Sequence, residues 1–140
     1  MAKNLGEIQN LSLRRLRQNA HIRELTQEYR VSVNQLIQPL FVVEGISKPE
    51  IIPGLTGTFR DTPDSILKTI ENDLESGVRK FLLFGVPGSK AAKNFDYGFT
   101  TRQIAEIKKR FGKDVFLSVD VCLCSSTTHG QCGILNVEGD

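Results

Sequence analysis

Three short apolar runs, separated by two stretches of helical periodicity, constrain this chain more than any other feature. The first run is Leu36-Ile-Gln-Pro-Leu-Phe-Val-Val43, the second Phe81-Leu-Leu-Phe-Gly-Val86, and the third Val115-Phe-Leu-Ser-Val-Asp-Val-Cys-Leu-Cys124. Near-continuous apolar runs of this length are expected of strands buried on both faces. Pro39 lacks a ladder donor, which suits an edge position or a strand's start. Between the first two runs, Thr62 is a candidate N-cap with Pro63 at the first helical position, and Ile66, Leu67, Ile70 and Leu74 form one stripe ended by Gly77. Between the second and third, Thr100 with Gln103 reads as a capping box, Ile104, Ile107 and Phe111 as the buried stripe, and Gly112 as the stop. The order β-α-β-α-β with short links predicts an α/β chain built on a parallel sheet with right-handed crossovers.

The flanking segments are less patterned. Residues 1–18 are polar and basic and read as an extended arm, leaving 19–140 as the domain. A short helix is expected from Asn19 to Arg30, with Asn19 as cap and Ile22, Leu25 and Tyr29 at helical spacing. Residues 44–60, rich in proline and glycine, read as a loop, as do residues 88–99. A net charge of +2 gives no argument for nucleic acid, and the patch Arg14-Arg15-Leu16-Arg17 reads as a solvated arm or a subunit contact. No run approaches the roughly 18 apolar residues of a membrane span, and no signal-peptide core is present. The expected compartment is the cytoplasm.

All three cysteines, Cys122, Cys124 and Cys132, fall within eleven residues near the C-terminal end. In the cytosol, clustered thiols bind metal or do redox chemistry more often than they form disulfide frameworks. Strand alternation puts Leu117, Val119, Val121 and Leu123 on one face, packed under helices. It puts Ser118, Asp120, Cys122 and Cys124 on the other, at the C-terminal strand end where α/β proteins hold their sites. Cys132 returns after a loop containing His129 and Gly130. Three thiolates with one open position suit Zn²⁺. The alternatives are three reduced structural cysteines, a hydrogen-bonded interior role for Asp120, and for His129 a fourth ligand, an orienting residue or a plain loop histidine.

The segment Asp120-Val-Cys-Leu-Cys-Ser-Ser-Thr-Thr-His-Gly-Gln-Cys-Gly133 closely resembles the zinc segment of the porphobilinogen synthase (5-aminolevulinate dehydratase) family, which reads D-V-C-L-C-P-Y-T-S-H-G-H-C-G. Leu36–Gly45, Ile52–Gly54, Leu83–Pro87 and the Arg14–Arg17 arm extend the resemblance over nearly the whole chain. It implies a TIM barrel with an N-terminal arm that embraces another subunit, and condensation of two 5-aminolevulinate molecules into porphobilinogen for tetrapyrrole and haem synthesis. By position it implies Cys122, Cys124 and Cys132 as zinc ligands and Asp120 as the acidic active-site residue. Ser125, Ser126 and Gln131 depart from the family's Pro, Tyr and second His.

A full TIM barrel takes about 250 residues and eight strands, and this chain has signals for three. The resemblance therefore implies a partial barrel, truncated before the family's two Schiff-base lysines. Lys80, Lys90, Lys93, Lys108 and Lys109 match none of the family's catalytic positions and read as solvated surface. Asp120 is then vestigial, and the chain has no activity of its own. The alternatives are a piece completed by another chain, to which 5-aminolevulinate would bind only once complete, and a binding or regulatory subunit. Open sheet edges predict a homo-oligomer or association with another synthase-like chain.

Overall fold

The computed structural model describes residues 14–134 and 136 of the 140-residue chain. Most of the expected arm, residues 1–13, therefore lies outside the described residues. The chain separates into two compact units with the boundary after Ser32.

In the first unit, Arg15–Arg17 forms a 3-10 turn and Ala20–Thr26 forms helix α1. Asn19 caps α1 as expected, its Oδ1 accepting from the Ile22 amide at 2.9 Å. The helix stops at Thr26 rather than Arg30, with Gln27 already extended. Leu25 and Tyr29 of the expected apolar stripe are 82% and 86% exposed. A helix this short gains little without packing, so the last turn does not form.

The second unit is a five-stranded sheet in the order β2-β3-β1-β4-β5, where β1 is Gln38–Val43, β2 Glu50–Ile51, β3 Phe59–Asp61, β4 Lys80–Val86 and β5 Phe116–Val119. All pairings are parallel except the antiparallel β2–β3 contact. Pro39 is the second residue of the central strand β1. Strand β3 joins β1 only from Phe41, so at Pro39 only β4 lies alongside and the missing donor is tolerated. The loop expected at 44–60 contains β2 and the first two residues of β3. Their short lengths, and the turn around Gly54 and Gly57, hide them from pattern reading.

One face of the sheet holds the core. Leu40 and Val42 of β1 and Phe81 and Leu83 of β4 pack with Ile66 and Ile70 of helix α2 (Ser65–Glu75) and with Phe99, Ile107 and Phe111 of helix α3 (Gly98–Phe111). The expected apolar stripes of both helices are thus the buried ones. The expectation that the strands are buried on both faces needs correction. On the opposite face Phe41 and Phe84 stack at 4.8 Å between centroids but stay only half-buried, and Phe116 is 60% exposed. Helices α2 and α3 cover the core face, and the near-continuous apolar runs do not distinguish the two sides.

The caps follow local chemistry. Thr62 Oγ1 accepts from the Ser65 amide at 3.0 Å, and Ser65 Oγ accepts from the Thr62 amide at 2.9 Å, a reciprocal cap in front of α2. Ser65 Oγ also donates to the buried Asp61 carboxylate at 2.6 Å. The capping box expected at Thr100 and Gln103 is not formed. Helix α3 begins two residues earlier at Gly98, whose amide donates to Asp96 Oδ1 at 2.7 Å, and Gln103 is buried within the helix. Thr100 instead packs on the backbone of β4. A Cβ added at Gly85 would meet Thr100 Oγ1 at 2.2 Å. Gly85→Ala is therefore expected to destabilise the fold by about 1–3 kcal/mol through overpacking, read as a shifted denaturation midpoint. An unchanged midpoint would show that α3 moves away freely.

Two of the lysines expected as solvated surface are tied to carbonyls. Lys80 Nζ donates to Asn34 O, and Lys108 Nζ donates to Gly112 O and, at 3.3 Å, to Val115 O just beyond α3. Among the described residues no helix is long and apolar enough to cross a membrane.

Candidate metal centre

Strand β5 ends at Val119, earlier than the expected Cys124. One further rung follows, the Asp120 amide donating to Leu83 O at 2.9 Å, and then the chain leaves the sheet. The alternation argument fails from that point. Val121, expected under the helices, is 84% exposed, whereas Leu117 and Val119 pack on the core as expected. A turn, not a strand face, gathers the cysteines.

That turn has a definite construction. The amides of Ser126 and Thr127 both donate to Leu123 O, at 2.8 and 3.0 Å. Thr127 pairs with Ala91 in an isolated parallel bridge, the Ala91 amide donating to Ser126 O at 2.9 Å and the Thr128 amide to Ala91 O at 3.2 Å. Gly130 has φ of 74°, a left-handed conformation that glycine adopts without strain. Thr127 Oγ1 donates to Gln131 O at 2.9 Å, and the Gln131 amide donates to His129 Nδ1 at 3.2 Å. The chain is thereby folded back and Cys132 returns beside Cys122.

The Sγ atoms of Cys122, Cys124 and Cys132 lie within 4.8 Å of one another, so the three thiols form a group able to hold one metal ion. Cys122 and Cys132 Sγ are 3.1 Å apart, a thiol hydrogen bond and far beyond the roughly 2.05 Å of a disulfide. Cys122 and Cys124 are half-buried and Cys132 is exposed. Cys122 is the thiol of the group most readily ionised. The Cys124 backbone amide, and then the thiols of Cys132 and Cys124, hold its proton affinity below the ordinary thiol value. Its partners move the other way. Hydrogen bonding to Cys122 raises Cys124 and, with the charge on Cys122, pushes Cys132 up to about 11. The negative charge of Asp120 opposes ionisation of Cys122 and Cys124. Crowded thiols of this kind release their protons together only when a cation takes the charge.

Asp120 and Cys122 both line a cavity of about 180 Å³ with Gly85, Tyr97, Thr100 and Ser125. Every expected site residue thus falls in one region, at the C-terminal end of β5 beside the start of α3. His129 is exposed and stands outside the sulfur group, its Nδ1 taken by the loop amide. The pattern reading passed over Thr127, which is fully buried. Its partner Ala91 is distant in sequence, so no local spacing points to it.

Comparisons agree with this architecture. The sequence profile of the family "Delta-aminolevulinic acid dehydratase" matches residues 10–140. A delta-aminolevulinic acid dehydratase of Ruminiclostridium josui is 40% identical over 129 residues, covering 89% of this chain and 62% of that protein. That of Helicobacter pylori is 39% identical over 130 residues, covering 88% of this chain and 39% of that protein. The crystal structure of the Toxoplasma gondii delta-aminolevulinic acid dehydratase (porphobilinogen synthase), in complex with the reaction product porphobilinogen, superposes with a TM-score of 0.78 at 30% identity, covering 93% of this chain and 38% of that one. The chain thus spans between 38% and 62% of the length of these relatives, and its sheet and helices correspond to part of the TIM barrel of the family. It belongs to the delta-aminolevulinic acid dehydratase family.

Proposed function

We propose that these 140 residues form the zinc-binding portion of a porphobilinogen synthase, and that they do not convert 5-aminolevulinate to porphobilinogen by themselves. The observation that carries this reading is the convergence of three sulfurs within 4.8 Å on a chain of this family. Sulfurs bound to Zn²⁺ at about 2.3 Å in a tetrahedral arrangement stand about 3.8 Å from one another, so small side-chain adjustments complete the site. Cys122, Cys124 and Cys132 would hold the ion, which would supply a Lewis-acidic centre with a fourth position for water or substrate. Asp120 would present its carboxylate at the same cavity. His129 would shape the loop through its Nδ1 instead of ligating.

Condensing two 5-aminolevulinate molecules in this family depends on lysine amines that form Schiff bases, and such amines must be positioned and deprotonated. Among the described residues, no lysine lines the cavity that holds Asp120 and Cys122. Lys80 and Lys108 are engaged with backbone carbonyls. The purified chain, supplied with zinc and 5-aminolevulinate, is expected to yield no porphobilinogen above background. Robust product formation without a second polypeptide would overturn this reading.

One observation favours a companion reading, in which another chain completes the barrel. The sheet face bearing Phe41, Phe84 and Phe116 carries no covering layer among the described residues, and β5 is the outermost strand. Apolar faces and open edges of this kind are normally paired or covered. The partner would be a second copy or another synthase-like chain in the cytoplasm. Mixing the chain with a polypeptide carrying the family's lysine-bearing strands would then generate turnover, and no gain on mixing would contradict completion in trans.

A further inference from the structure

We propose that Thr127 is a positioning residue for the metal centre, the element that brings Cys132 to Cys122 and Cys124. The inference rests on reading the three thiols as a metal site, and it concerns a residue that touches none of them directly.

Thr127 links the two ends of the ligand segment. Its amide donates to Leu123 O at 3.0 Å, and Leu123 stands between Cys122 and Cys124. Its hydroxyl donates to Gln131 O at 2.9 Å, and Gln131 immediately precedes Cys132. Its side chain is fully buried although the loop around it is largely exposed. A buried hydroxyl without a partner costs free energy, so the rotamer that reaches Gln131 O is strongly preferred. The bridge to Ala91 ties the same residue to the segment between β4 and α3, so Thr127 is anchored from a third side. The Ser126 amide also reaches Leu123 O, at 2.8 Å, but between Thr127 and Cys132 the other bonds, Gly130 amide to Thr127 O at 3.4 Å and Gln131 amide to His129 Nδ1 at 3.2 Å, are longer than the Thr127 hydroxyl's. Holding three sulfurs in register before the ion arrives reduces the ordering cost of binding, as partners behind a metal ligand generally do.

The test compares wild type, Thr127→Val and Thr127→Ser. Valine keeps the buried shape and loses the hydroxyl, while serine keeps the hydroxyl. Zinc affinity is measured by competition with a chromophoric chelator. Cobalt(II) serves as a second probe through its thiolate charge-transfer absorption. Thermal midpoints of the metal-free proteins report folding. The expected result is a roughly 10- to 100-fold loss of zinc affinity in Thr127→Val, the range for groups acting behind metal ligands. Its cobalt charge-transfer band should weaken while the metal-free midpoint stays near wild type, and Thr127→Ser should recover affinity to within about threefold. Equal affinity and equal cobalt spectra for wild type and Thr127→Val would overturn the proposal. A wild type that binds neither ion would overturn the metal reading itself, and the proposal with it. If Thr127→Val does not fold, wild-type magnetic resonance decides: zinc loading should shift the Thr127 amide and γ-methyl signals, and unchanged signals at full loading would overturn the proposal.

Discussion

Serine in place of Cys132 is expected to lower zinc affinity by more than about 100-fold, beyond the loss that groups behind the ligands can cause. Cys132 is exposed, so the substitution leaves the core untouched and the thermal midpoint of the metal-free chain should not move. The loss is one of chemistry: a serine hydroxyl stays protonated and is a poor ligand for an ion that otherwise has only two sulfurs. Chelator competition reads the affinity, and an unchanged value would remove Cys132 from the ligand set. The same thiols give the binding a direction with pH. Cys132 is pushed up to about 11 and Cys124 is also raised, chiefly by hydrogen bonding to Cys122, so both carry protons at neutral pH. The ion must displace those protons, so affinity should fall as pH falls and rise as pH rises.

Phe81→Ala is expected to cost about 3–5 kcal/mol, the range for truncating a buried aromatic side chain. Phe81 is the largest of the fully buried side chains, on β4 between β1 and β5 and against the helices. Single domains are stable by only about 5–15 kcal/mol. A sheet that among the described residues has one half-exposed apolar face should lie toward the low end, so this single change should bring the chain near its unfolding threshold. Denaturant titration followed by circular dichroism measures the effect. A loss under about 1 kcal/mol would mean that the core closes over the cavity. It would also mean that the packing of β4 on α2 and α3 does not hold the fold together.

Much of the fold was legible because strands and helices have different periods. The stripe Ile66, Ile70 and the stripe Ile107, Phe111 point into the core as their spacing requires. The Thr62 cap appears where its sequence places it, its hydroxyl accepting from the Ser65 amide while the Ser65 hydroxyl accepts from the Thr62 amide in return. The start of α3 was not legible, because Thr100 and Gln103 satisfy the capping-box pattern while Asp96 satisfies the Gly98 amide two residues into the preceding loop. Nor was the end of β5. Asp120-Val-Cys-Leu-Cys124 continues the strand alternation in sequence, but Val121 is turned out to solvent. The three cysteines do lie together, yet for a reason the pattern does not contain. Their convergence comes from Leu123 O, Thr127 and the Ala91 bridge, contacts set by the tertiary fold. Residues such as Lys80 look solvated in sequence, since nothing local announces a carbonyl such as Asn34 O.

The most direct test of the account is the zinc content of the purified chain after equilibrium dialysis against buffered zinc, beside a variant with serine at Cys122, Cys124 and Cys132. One zinc per wild-type chain and none in the variant is the expected result. No zinc in the wild type, or the same content in both, would contradict it.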